Sequence, residues 1–239
     1  MSRKAYEDVK EDNERINEVI ERFSRHNPQP KSEVGSYRCS SIPGCIRKSF
    51  YWFKQPRDFS ISTLKIFRAG KNVHSETEAS FDTFGGFDKV EREVAVMKDF
   101  GDFKITGTLD LIVEEKGKRR VVEFKSAKTL WKFDVDQEAC IYNPPNEFHI
   151  DQATLYMGLT KIDSAWLIYI QKNDLATKVY TIEFSKKRFD KLIDRVRELH
   201  RCLEENTLPD PESKNIPERN WECKSCAYKK DCKNNSLLD

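Results

Sequence analysis

No run of 18 apolar residues occurs in the 239-residue chain, and Met1 to Lys10 are polar and charged. Neither a membrane-spanning helix nor a secretory leader is therefore expected, and the protein is expected to be cytoplasmic. A net charge of only +2, from 42 Lys and Arg against 40 Asp and Glu, gives no strongly basic field. Any nucleic-acid contact must then come from a local patch. No G-x-x-x-x-G-K-[ST] stretch is present, which excludes a P-loop motor in this chain. Internal repeats and low-complexity tracts are missing as well, so a solenoid is excluded. The seven cysteines do not suit disulfides in a reducing compartment and read as metal ligands or core thiols.

What is present is a surface rich in Lys and Glu on a chain that is 38% hydrophobic, long enough for one catalytic domain with appendages. Residues 1–36 are assigned to an N-terminal helical extension. Tyr6, Val9, Ile16, Val19, Ile20 and Phe23 stand there at helical spacing, and His26-Asn27-Pro28-Gln29-Pro30 ends the helix. Residues 37–239 are assigned to a single domain, including a cysteine region at 220–235. Helices are expected from Cys45 to Phe53 and from Ser60 or Ser62 onward, the second turning Ile61, Leu64, Phe67 and Val73 inward and ending by Gly85-Gly86. Alternation over Val90–Val96 and Phe103–Ile112, and the segment Val121–Lys125 after a turn at Lys116-Gly117-Lys118, predict strands. A helix over 147–159, strands near 166–170 and 179–184, and a helix capped by Ser185 follow, and the tail from Thr207 reads as irregular. This order predicts an α/β fold with a mixed central sheet flanked by helices.

Asp110 stands late in one expected strand and Glu123-Phe124-Lys125 lies on the next. Strand alternation turns Glu123 and Lys125 to one face and Phe124 to the other. Two carboxylates beside an ammonium form a ligand set for Mg²⁺ or Mn²⁺ next to a group that can steady an attacked phosphate. An isolated E-x-K is more often a solvated ion pair. Here Val121, Val122 and Phe124 mark the strand as buried, and a buried Glu and Lys call for a partner or an ion.

Gly107-Thr108-Leu109-Asp110 followed by Glu123-Phe124-Lys125 resembles the PD-(D/E)XK nuclease signature in its RecB-like form, with Leu109 where the family usually has Pro. The family's upstream His and downstream Q-x-x-x-Y have counterparts in His74 and in Gln152 and Tyr156, the last two sharing a helix face. The resemblance implies a restriction-endonuclease-like core. It also implies a metal held by His74, Asp110, Glu123 and the backbone carbonyl of Phe124, with Lys125 catalytic and Gln152 and Tyr156 supporting the site.

Cys223-x2-Cys226-x5-Cys232 places three thiols within ten residues, a spacing that on its own favours a closed zinc site. RecB-like nucleases with a 4Fe-4S cluster are similar: one cysteine precedes the nuclease core and three follow it at this spacing. That resemblance makes Cys45 the fourth ligand, with Cys39 as its rival, and joins the N- and C-terminal parts of the domain through the cluster. Cys140 and Cys202 read as core thiols.

Basic and aromatic residues interleave at Arg47, Lys48, Tyr51 and Trp52, a composition suited to single-stranded DNA. Lys116, Lys118, Arg119 and Arg120 form a second basic group. The resemblance is closest to small CRISPR-associated and virus-borne exonucleases, which implies cleavage of DNA single strands or ends in CRISPR adaptation or viral DNA processing. For a virus-encoded protein the setting is the host cytoplasm. The alternative is a cluster-bearing DNA-binding adaptor of an integrase or helicase complex.

Overall fold

The computed structural model describes residues 3–25, 33–134 and 137–235. The chain forms two compact units, residues 1–31 with 58–72 and residues 32–57 with 73–239. In the first unit, α1 (Arg3–Arg25) receives Arg68, which donates to the Phe23 carbonyl at 2.7 Å and lays its guanidinium over the Phe23 ring. Phe67, expected in the interior, is half exposed and packs edge-on against Phe59. The expected helix stop at His26–Pro30 lies outside the described residues.

In the second unit β1 (Ser36–Arg38), β2 (Lys89–Asp99), β3 (Lys104–Glu115), β4 (Lys118–Ala127), β7 (Ser164–Gln171) and β8 (Thr177–Glu183) form a mixed sheet. The hydrogen-bonded order is β1-β3-β4-β7-β8, with β2 along the other edge of β3. A separate hairpin joins β5 (Trp131–Asp134) to β6 (Ala139–Tyr142). One face of the sheet buries Ile105, Leu109, Val121 and Ala165 with residues of α2 (Ile46–Lys54), α4 (Glu147–Thr160) and α5 (Lys186–Glu204). The other buries Leu111, Val113, Val122, Phe124 and Ile168 with Val73 and Phe81 of α3 (Ile61–Phe84). Helices on both faces of a mixed sheet are the predicted architecture.

The tail, expected to be irregular, holds short helices: α6 (Glu212–Asn215), a 3-10 turn at Pro217–Arg219, α7 (Asn220–Lys224) and α8 (Lys229–Asn234). Helices this short are not stable alone. The Glu222 carboxylate accepts the backbone N–H of Cys45 at 3.0 Å, the Glu212 carboxylate accepts that of Ile46 at 3.0 Å, and Tyr228 stacks on Tyr51. These contacts hold the tail against the start of α2.

Candidate active site

β3 and β4 are in register from Glu115↔Lys118 up to Leu111↔Val122. Beyond that pair they separate, and β1 takes the vacated edge of β3 at Lys104–Thr106. The inward-facing side of β3 also changes between Leu109 and Leu111, which belong to opposite cores. Opposite this point Glu93 of β2 has a left-handed φ of 45°, a conformation that costs a non-glycine residue about 1 kcal/mol or more. Asp110 sits at the divergence, where its Oδ2 accepts the Phe124 backbone N–H at 2.7 Å. A side chain thus satisfies an amide that the neighbouring strand no longer reaches.

Glu123 and Lys125 turn toward α4 and Phe124 turns toward α3, as alternation predicted. Lys125 Nζ donates to Glu123 Oε1 at 2.6 Å and to Gln152 Oε1 at 3.0 Å. Gln152 Nε2 donates to Glu123 Oε1 at 2.9 Å and to the Tyr156 hydroxyl at 3.4 Å. That hydroxyl donates in turn to the Thr108 carbonyl at 2.9 Å. Gly107 is required here, because a Cβ at that position would lie 2.7 Å from the Tyr156 ring and 3.2 Å from Cys39 Sγ.

Buried Glu123 is raised above the usual carboxylate range by desolvation, opposed by Lys125. Burial, followed by the charge of Glu123, pushes Asp110 up to about 8. His74 lies on α3 with its ring 6.2 Å from that of Phe124. Burial, then the charges of Lys125 and Lys172, hold it down at about 4, so it is neutral at physiological pH. Of the buried side-chain atoms without a hydrogen-bond partner among the described residues, two belong to this site: Glu123 Oε2 and His74 Nε2. Leaving such atoms unpaired costs about 1–3 kcal/mol each, and both are atoms that ligate divalent cations. The residues therefore fit an ion, although among the described residues no group of three or more His, Cys, Asp or Glu side chains is arranged to hold one as it stands. Here Lys125 is the positive partner of Glu123.

Two residues of this neighbourhood escaped the sequence analysis. Glu78 is buried, four residues after His74 on the same helix, pairs with Arg92 and raises both Asp110 and Glu123. Its i, i+4 spacing from His74 was the available signal. His149 precedes Gln152 by one turn of α4, is held neutral by burial and by Lys125, and bonds the Tyr169 hydroxyl through Nδ1 at 2.7 Å.

Cys45, Cys223, Cys226 and Cys232 line one cavity of about 210 Å³, with Lys48, Lys214, Lys229 and Lys233 around it. Burial, then the charges of Cys45, Cys226 and Cys232, push the Cys223 thiol up. Cys39 lies elsewhere, fully buried against Gly107 and Tyr156. Cys202 is buried in α5, and Cys140 is exposed. All seven are free thiols.

The expected DNA-contacting group on α2 requires correction. Arg47 is buried, donating to the Pro209 carbonyl at 2.6 Å and to Asn235 Oδ1 at 2.7 Å. Tyr51 is fully buried and Trp52 packs on the core, so only Lys48 is exposed. Their interleaved basic and aromatic types had suggested a DNA-facing surface, but the tail supplies the partners that bury Arg47 and Tyr51. On the basic hairpin Arg119 pairs with Glu91 and Arg120 with Glu115.

A mixed α/β sheet whose diverging strands bring two carboxylates and a lysine together defines a nuclease-type fold and site. The chain matches the family model of the PD-(D/E)XK nuclease superfamily over residues 7–233 and belongs to that superfamily. Among solved structures, SSO0001 is similar with a TM-score of 0.64 at 21% identity, covering 91% of this chain and 96% of that one. The alkaline exonuclease LHK-Exo from Laribacter hongkongensis has a TM-score of 0.50 at 12% identity, covering 72% and 90%. A phage-related exonuclease from Haemophilus somnus 129PT has 0.51 at 14%, covering 71% and 94%. No curated protein matches the chain. Among the described residues no helix is long and apolar enough to cross a membrane.

Proposed function

We propose that the chain is a metal-dependent DNA exonuclease acting on single strands or strand ends. The observation that carries this reading is the Glu123–Lys125–Gln152 network beside two unpartnered ligand atoms, Glu123 Oε2 and His74 Nε2. His74, Asp110, Glu123 and the carbonyl of Phe124 hold Mg²⁺ or Mn²⁺ in this proposal. When bound, such a cation stabilises charge on the attacked phosphate and acidifies water.

The protein's own contribution is positional. An ammonium has three N–H donors, and Lys125 directs two of them at Glu123 and Gln152. The third is left for a phosphate oxygen or the attacking water. Lys125 and Gln152 fix Glu123 by binding Oε1, with Tyr156 bonded to Gln152 behind them, which leaves Oε2 to face the ion. Neutral His74 offers Nε2 without first losing a proton.

The four cysteines of the cavity hold a 4Fe-4S cluster in the same proposal, with zinc as the alternative occupant. Crowded thiolates repel one another, and a cationic centre relieves that repulsion. The cellular setting proposed is CRISPR adaptation or viral DNA processing, alongside an integrase or other DNA-processing protein. The test is cleavage of labelled single-stranded and duplex DNA by anaerobically purified protein with Mg²⁺, Mn²⁺ or EDTA. Metal-dependent trimming by the wild type and none by Glu123→Ala is expected. Equal cleavage by folded Glu123→Ala removes the carboxylate from the site.

A further inference from the structure

The hairpin β5–β6, which follows β4, pairs with no other strand among the described residues. At its base Trp131 stands opposite Tyr142, and the rings stack with centroids 3.7 Å apart. Yet Trp131 is 41% and Tyr142 37% exposed. Lys178 lies over Tyr142 at 4.3 Å from its centroid. The pair thus keeps exposed aromatic surface beside a cation. An aromatic pair that served only to fill a core would be covered.

Hydrogen bonds fix the legs of this hairpin and the loop that leads to α4. Leu130 N–H donates to Gln171 Oε1 at 2.9 Å, and Asn143 N–H donates to the Leu130 carbonyl at 2.7 Å, which pins both legs of the hairpin. Asn146 N–H donates to the Tyr169 hydroxyl at 2.9 Å, and that hydroxyl also bonds His149 Nδ1 at 2.7 Å. His149 stands one turn before the Gln152 that holds Lys125. Only Lys128, Thr129 and Leu130 separate the end of β4 from Trp131. Lys128 is exposed beside the pair, while the acidic residues of the hairpin among the described residues, Asp134 and Glu138, lie toward its tip.

We propose that the stacked Trp131–Tyr142 pair is a platform for the bases of a single DNA strand engaged at Lys125, with its phosphates along Lys128 and Lys178. The proposal rests on the nuclease reading above and adds a substrate preference to it. Bases of an intact duplex are stacked inside and cannot reach the Trp131 face, whereas unpaired bases stack on any accessible aromatic ring. The α2 surface cannot serve this purpose, because its aromatic and basic residues are largely buried.

The test is fluorescence anisotropy in EDTA, where no cleavage intervenes, with an oligothymidine strand and an abasic strand of equal length. Wild type should bind the base-bearing strand more tightly. Trp131→Leu, which keeps apolar cover without a stacking plane, should weaken that binding by about tenfold or more and leave the abasic strand unaffected, while Trp131→Phe should keep most of the affinity. Equal weakening on both strands overturns the proposal, and so does no weakening on either, the result expected if the pair docks a protein instead. Tyr142→Leu is measured in parallel, so a failure of Trp131→Leu to fold leaves the question answerable. Failure of the nuclease reading shows separately, as a wild type that binds the strand in EDTA but cuts nothing with Mg²⁺ or Mn²⁺.

Discussion

Asp110→Asn should stabilise the metal-free protein at alkaline pH while abolishing cleavage. The Asp110 carboxyl is raised from 3.8 to about 8, first by burial and then by the charge of Glu123. Between those two values the folded state keeps a proton that the unfolded chain releases. The group's contribution to stability is therefore complete below pH 3.8 and is lost as pH rises through about 8. At about 1.36 kcal/mol for each tenfold change in proton affinity, the ceiling is on the order of 5 kcal/mol. Asp110 is partly open to solvent and shares the burden with Glu123, so we expect about 2 kcal/mol in practice. Asparagine keeps an oxygen to accept the Phe124 N–H and has no charge to bury. Urea unfolding in EDTA at about pH 5 and about pH 9 reads the difference. Wild type should lose about 2 kcal/mol more than Asp110→Asn across that interval, and Mn²⁺ should restore stability to wild type alone. A variant whose stability falls just as steeply with pH refutes the reasoning.

Lys125→Ala should stop cleavage with metal affinity unchanged or slightly tighter, because an ammonium cannot ligate a cation; calorimetry showing both lost together makes Lys125 a support for the carboxylates. Alanine at Cys45, Cys223, Cys226 or Cys232 should each bleach a broad absorbance band near roughly 400 nm and lower the thermal midpoint, whereas Cys39→Ala, Cys140→Ala and Cys202→Ala should keep the colour. Bleaching by Cys39→Ala but not by Cys45→Ala reverses the assignment of the N-terminal ligand.

The major elements were legible because their periods are clean. The alternation of Val121 to Lys125 reports a strand buried on both sides, and Ser185 caps α5 where its apolar stripe begins, accepting the Arg188 N–H at 3.3 Å. Strand spacing put Glu123 with Lys125 and helix spacing put Gln152 with Tyr156, and the family resemblance joined the two pairs. β1, β5 and β6 were not legible, since three or four residues carry too little periodicity. Asp110's raised proton affinity was also hidden, because it depends on where β3 and β4 separate. Arg47 and Tyr51 misled for a related reason: composition cannot reveal that Pro209, Asn235 and Tyr228 return from the far end of the chain to cover them.

That return has its own energetic logic. Cys45 is the N-cap of α2, and its side chain makes no capping hydrogen bond. The exposed amides of a helix start need acceptors, and the positive end of the helix dipole favours anionic ones. Glu222 and Glu212 supply them from the tail through Cys45 N–H and Ile46 N–H. Arg219 bonds both Glu222 and the Pro43 carbonyl, while Arg195 bonds both Glu212 and the Gly44 carbonyl. Each carboxylate is thus neutralised by a cation that also grips the loop before α2. The network holds Cys45 and the tail's Cys223, Cys226 and Cys232 around one cavity without any bond between sulfurs. The proposed centre would add to this clamp rather than create it. Its loss should loosen the tail before it disturbs Glu123 and Lys125, which are fixed by Gln152 of α4 rather than by the tail.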